Sequence, residues 1–335
     1  MKLRVASAIL WTCVSLLIVF PITAWGALAL WFRLSTTQVG GIVAACVFVV
    51  LGLGSMTALF TRHRMKGALC FALAFGGLLI WWNTIAPPDH GDWAPEVARQ
   101  TTGTFRGDVL TLSDVREFEW RSESDFDERW RERSYDLSKI KSVDLFLSYW
   151  GGPQMAHLIM SFGFDGGEQL AWSIEVRRKK SGQYSPIADA FKTDTVVYLA
   201  TSERDTVRLR TNVRGEDVRL YRLRMPPAQA RALLLRYVEE ANALSAKPAF
   251  YNSITTNCTT AVAKMMRAAG DNLPLDWRLI INGYLPGYLY DRGAVVTTIP
   301  LSQVTVLARI DDRAKAADQS SDFSRLIRIG VPSPR

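Results

Sequence analysis

A cysteine set among amide and hydroxyl side chains, Tyr251-Asn252…Thr256-Asn257-Cys258-Thr259-Thr260, is the stretch of this chain best suited to covalent chemistry. The run that follows, Ala261 to Ala269, is helix-forming and closes on Gly270. Cys258 is therefore expected at or near a helix N-terminus. Unpaired N–H groups and the positive end of the helix dipole favour an anion there. A free thiol titrates near about 8.5, and such a position lowers that value and yields more of the nucleophilic thiolate. The other three cysteines, Cys13, Cys46 and Cys70, lie in apolar segments near the start of the chain. The alternative is a buried, inert cysteine, against which the polar neighbours argue. Asn257-Cys258-Thr259 also fits a glycosylation sequon, read here as chance.

A thiol nucleophile needs a base, and the base needs a partner that orients it. The chain has three histidines: His63, His90 and His157. His63 falls in a basic loop between apolar segments and His90 in a Pro/Gly-rich linker, so His157 is the one expected in a regular element. It begins the strand-like run 156–164, which a second run, 168–177, follows after the turn signal Asp165-Gly166-Gly167. The even positions Leu158, Met160, Phe162 and Phe164 must share a buried face with Leu170, Trp172, Ile174 and Val176, because a one-residue slip would expose one set. That register pairs Phe164 with Glu168, Ile159 with Ser173 and His157 with Glu175. The opposite face then gathers His157, Ser173 and Glu175. Either Glu175 or Ser173 could orient the imidazole. Equally, His157 could be a strand histidine with an ordinary hydrogen bond, and Glu175 a solvent-facing residue. The N–H of Cys258, with Asn257 or Tyr251 as side-chain donors, is the candidate oxyanion site.

The remaining elements must present these groups. Ala86 to Asp92 reads as a linker. Short strands are expected within 104–120, an exposed helix or loop over 122–133, and strands at 143–148, 196–200, 207–210 and 217–223. Pro226-Pro227 opens a helix running to about Leu244. Trp277 to Asp291, with Tyr284, Tyr288 and Tyr290, is either a cap, an apolar channel beside the site, or core. Residues 311–335 read as a polar tail.

Ahead of all this lie three uncharged stretches, Val5–Phe32, Val39–Phe60 and Gly67–Ile85. Each reaches the roughly 18–20 residues that cross a bilayer as a helix. A signal peptide would be shorter, and two further spans follow the first. Lys2 and Arg4 precede the first span, and Arg62, His63, Arg64 and Lys66 separate the second from the third. The positive-inside rule puts these on the cytoplasmic side and everything after residue 86 outside, with Trp81 and Trp82 at the outer interface. The net charge of +8 over 335 residues reads as solvated faces. There is no zinc spacing, glycine-rich phosphate loop or aromatic-basic pattern, so no metal, cofactor or nucleic acid is expected.

The motifs at 251–260, Tyr184-Ser185-Pro186-Ile187, 211–218 and Ala156-His157…Ser173-Ile174-Glu175-Val176-Arg177 resemble the domain family named after Lnb, a bacterial lipoprotein N-acyltransferase. The resemblance covers about residues 90–295. It implies a periplasmic cysteine–histidine domain with Cys258 as nucleophile and His157 as base. Histidine before cysteine is the order of permuted papain-like (NlpC-type) folds. Unlike Lnb itself, this chain has its spans before the domain. The expected fold is α+β: a three-helix transmembrane region over 1–86 (spans about 6–30, 39–60 and 67–85), then an antiparallel sheet with a cysteine-bearing helix packed on it over 87–310, then the tail. The expected function is acyl transfer through a thioester at the bacterial inner membrane, on phospholipid or lipoprotein. The alternatives are a membrane-tethered cell-wall amidase or endopeptidase, or a noncatalytic anchored binding domain.

Overall fold

The computed structural model describes residues 2–34, 38–182, 185–253, 255–270 and 273–334. Tyr184, Ile254 and Arg335, named or spanned above, lie outside them. The chain divides into two compact units, residues 1–88 with 185–193, and residues 89–184 with 194–335.

The first unit is α+β's helical part: three apolar helices long enough to span a bilayer among the described residues. The first is α1 (Lys2–Val14) running through a π-turn (Ser15–Val19) into α2 (Phe20–Arg33). The π-turn has a local cause. Pro21 lacks an N–H and its ring crowds the preceding turn, so the ladder there must widen. α3 (Gln38–Ala58) and α4 (Arg64–Thr84) follow. Small residues let α2 and α3 approach closely: a Cβ on Gly52 would lie 2.2 Å from Thr23 Oγ1, and one on Gly26 2.3 Å from Phe48. The short α5 (Pro186–Asp189) and Phe191 belong to this unit, Phe191 stacking on Phe32 at 5.5 Å.

The second unit is built on a mixed sheet. Its strands are β1 (Thr102–Arg106), β2 (Val109–Arg116), β3 (Glu119–Trp120), β4 (Phe126–Asp127), β5 (Trp130–Asp136), β6 (Ile140–Tyr149), β7 (Ala156–Phe164), β8 (Gln169–Arg177), β9 (Thr195–Thr201) and β10 (Asp217–Leu223). The large sheet runs β1-β2-β9-β8-β7-β6-β10, with β5 also on β2, while β3 and β4 pair separately. Its pairing is antiparallel except where β2 meets β9 in parallel at Arg116–Thr201. The β7–β8 register is the one expected from the alternation, Ile159 opposite Ser173 and Phe162 opposite Leu170.

Helices cover both faces. The even-numbered side chains of β7 and β8 pack with α7 (Pro227–Ala246), α8 (Cys258–Ala268), α9 (Leu285–Asp291) and α10 (Leu301–Ala308). Phe146, Ile159, Ala171, Val218 and Leu220 point the other way, against the segment after residue 309.

Three expectations need correction. Residues 122–133 hold β4 and the start of β5; their charges pair across the strands, as in Arg121–Asp125 and Arg133–Glu117. Residues 207–210 are helical, within α6 (Glu203–Arg208) and a π-turn (Leu209–Val213). Ser202 caps α6, and Asp205 anchors it by accepting from Arg116, the Phe118 N–H and the Trp120 indole. The alternation of Val207 and Leu209 with arginines imitated a strand because Arg208 and Arg210 are buried with partners. Finally, the stretch read as a polar tail is, over 311–334, folded onto the domain. It forms α11 (Asp311–Ala316) and α12 (Phe323–Leu326), and buries Ala314, Ala317, Phe323, Ile327 and Val331 in the domain's second core. The apolar residues recur too sparsely among charges for the pattern to be read as amphipathic.

Candidate active site

Cys258 is the first residue of α8, and the local sequence makes it so. Asn257 accepts from the N–H groups of Thr259 and Thr260, and Thr260 Oγ1 accepts from the Asn257 N–H, a complete capping box. Gly270 ends the helix at φ +93°. The capping contacts give Asn257 a structural post, since its Nδ2 also donates to Ser253 O at 2.9 Å. Tyr251 is buried in the core beside α8.

His157 lies near the start of β7. The β7–β8 ladder stops at Ile159–Ser173, and beyond that open end the imidazole meets the thiol. His157 Nε2 is 2.7 Å from Ser173 Oγ and 3.1 Å from Glu175 Oε1. Ser173 Oγ itself donates to Glu175 Oε1 at 2.6 Å. The sequence left open whether Ser173 or Glu175 orients the ring; both hold Nε2. The three expected residues and the cysteine thus come together, and the site keeps an opening: His157 is 13% and Glu175 20% exposed.

Two residues were not foreseen. Arg210, presented by the π-turn after α6, donates to Glu175 Oε1 at 2.8 Å and is fixed from behind by Thr206. It was hidden in the false strand. Asn282 clamps the other side. Its side chain bonds both the N–H and the carbonyl of Ala156, donates to Thr259 Oγ1 at 2.8 Å and stands 3.8 Å from Cys258 Sγ. A side-chain amide thus ties the start of the histidine strand to the start of the cysteine helix. The neighbouring Gly283 is obligatory, since a Cβ there would lie 2.0 Å from Pro153 O. Only the aromatic-rich run 277–291 hinted at Asn282.

The electrostatics follow from this packing. Burial disfavours the imidazolium, but the Glu175 charge and the bonds from Cys258 and Glu175 outweigh it and raise His157 to about 9, Arg210 opposing. Burial likewise disfavours the thiolate; the bond and charge of His157, the Leu158 N–H and Thr259 bring Cys258 below its ordinary value. Glu175 is also buried, yet His157, Arg210 and Ser173 hold it well below the usual carboxylate range. Both shifts favour the charged forms, imidazolium at His157 and thiolate at Cys258.

Against α8 lies a cavity of about 80 Å³ lined by Leu158, Met160, Thr259, Val262, Leu279 and Leu285 among others. Among the described residues no group of His, Cys, Asp and Glu could hold a metal ion.

Residues 126–283 match the family model of the Lnb N-terminal periplasmic domain. The chain carries a domain of this family. The matched segment includes His157, Ser173, Glu175, Arg210, Cys258 and Asn282, so the whole constellation is internal to the Lnb-type domain. β1, β2 and the segment from α9 onward lie outside it. Neither the curated proteins nor the solved structures include a match. With its three spans and its Lnb-type domain, the protein is a membrane protein with a periplasmic domain.

Proposed function

We propose that the Lnb-type domain is a thiol acyltransferase of the inner membrane, working on phospholipid or lipoprotein esters. The observation that carries this reading is a cysteine at the N-terminus of α8 with His157, held by Ser173 and Glu175, as its neighbour, and an apolar cavity lined by the same helix. Cys258 thiolate attacks an ester carbonyl, and the resulting tetrahedral oxyanion lies near the N-terminus of α8, where backbone N–H groups converge. As the C–O bond breaks, the leaving alkoxide takes the His157 proton and departs as an alcohol, leaving an acyl thioester on Cys258. An acceptor amine then attacks, His157 takes its proton, and amide and free thiolate are released. Glu175, Ser173 and Arg210 keep the imidazole aimed through both steps. The succession of histidine strand and cysteine helix is that expected of a permuted papain-like fold.

The test is mass spectrometry of the intact protein after incubation with labelled phospholipid. The expected result is an acyl adduct, labile to hydroxylamine and absent from Cys258→Ala. Absence of an adduct with any lipid, together with clearing of purified peptidoglycan in a zymogram, would replace the acyltransferase by a cell-wall hydrolase.

A further inference from the structure

The segment that carries Asn282 has two sides. Leu273, Leu279 and Leu285 turn inward and line the cavity beside Thr259. Leu275, Trp277, Ile280, Ile281 and Tyr284 turn outward and are 90%, 56%, 58%, 41% and 39% exposed. Trp277 and Tyr284 pack ring on ring at 5.4 Å. The turn between β6 and β7 extends this surface with exposed Trp150 and Met155. It is held against the segment by Tyr149 Oη donating to Gly283 O and by the Gly283 N–H donating to Gln154 O. The cation in the middle of the patch is neutralised, because Arg278 is paired with Asp276 and Asp291.

Scattered apolar side chains on a surface need no explanation, but a contiguous group does. We propose that residues 275–284, with Trp150 and Met155, form a lipid-docking face that inserts into the surface of a phospholipid bilayer next to the candidate active site. Three observations select lipid over a protein partner. The outward residues mix aliphatic groups with Trp and Tyr, whose amphipathic rings settle at the headgroup level. The segment that presents the patch also lines the apolar cavity against α8 with its inward leucines, so the surface and the cavity share one run of chain. The chain is itself anchored by three apolar spans, so a lipid surface is always within reach of the domain. The reading rests on the proposed lipid substrate only for its purpose; insertion can be measured without catalysis.

The full chain, carrying Cys258→Ala, is reconstituted into phosphatidylethanolamine/phosphatidylglycerol vesicles containing a labelled phospholipid. A photoreactive benzoyl-phenylalanine replaces Leu275 or Trp277 in turn, both exposed enough to accept it without repacking. Phe105 and Val109, exposed apolar residues of β1–β2, are the reference positions. The expected result is lipid adduct at 275 and 277, severalfold above that at 105 and 109. Equal yields at both pairs would overturn the proposal, as would adducts only to protein. Lipid adducts at 275 and 277, with no thioester formed by the protein that keeps Cys258, would retain the docking face and remove the acyltransferase reading alone.

Discussion

Two buried ionic clusters sit on the same sheet and behave differently. On the face toward the C-terminal helices, Arg328 engages Asp144, Gln169, the Ser324 carbonyl and both oxygens of Glu203. Ser161 adds a further bond to Glu203 at 2.6 Å. Every guanidinium donor has an acceptor, and burial of Glu203 is overcome by the Arg328 charge, which keeps the carboxylate low. At the open end of β7 the carboxylate Glu175 is also satisfied, by Ser173, His157 and Arg210. There the chain of contacts continues into two titratable groups, His157, which is raised, and Cys258, which is lowered. The difference teaches how to tell scaffold from site. A network that ends in a saturated guanidinium holds the fold, while one that ends in a partly open imidazole and a thiol can move a proton near neutral pH.

Substitutions that separate the two clusters test this contrast. Cys258→Ala is expected to abolish adduct formation and alkylation at this position while the protein remains folded, as read by mass spectrometry and circular dichroism. His157→Gln should slow thioester formation by about 10²–10⁴-fold, the usual contribution of a positioned general acid–base. Arg328→Met leaves Asp144 and Glu203 buried without their cation. It should cost about 3–5 kcal/mol, seen as a lower unfolding temperature, yet leave the pH profile of Cys258 unmoved. A shifted profile in Arg328→Met would break the division between scaffold and site.

The pH dependence has a definite sign. His157 is raised, so its stabilising contribution is complete below the unfolded value near about 6.5 and is lost as pH climbs through about 9. Cys258 is lowered, so its contribution is present above the unfolded thiol value and is lost as pH falls through the lowered one. The ion pair thus occupies the window between the lowered thiol value and about 9. Glu175→Gln removes the charge that raises His157, and the upper edge of the window should fall by about one unit, equivalent to about 1.4 kcal/mol. Arg210→Met sharpens the point: it removes the cation that opposes the imidazolium, so the upper edge should rise, and Arg210→Lys should return it toward the wild-type value. The smallest effect belongs to Asn257→Ala, a lost helix cap worth about 1 kcal/mol, measured by thermal unfolding.

The parts legible in the sequence were those with strong local rules. Apolar length announced the spans, the Asp165-Gly166-Gly167 turn fixed the hairpin register, and the polar run before Cys258 with Gly270 after it delimited the cysteine helix. That was enough to bring Cys258, His157, Ser173 and Glu175 together. Arg210 was lost because its charge is neutralised by a residue 35 positions earlier, which no local pattern reveals. Asn282 was lost because a buried amide that replaces a strand neighbour leaves no periodic trace. The C-terminal helices were misread for the same reason: their apolar residues are few, and Arg328 draws its partners from β6, β8 and α6.

The account stands most directly on the charge state of one sulfur. Iodoacetamide alkylation of the full chain, quantified on the peptide containing Cys258 across pH 5–10, reads it without any substrate. The expected profile rises well below the ordinary thiol range and changes again near the His157 value of about 9, with the low-pH reactivity lost in His157→Gln. A single titration near about 8.5, the value of a free thiol, identical in wild type and His157→Gln, would contradict it.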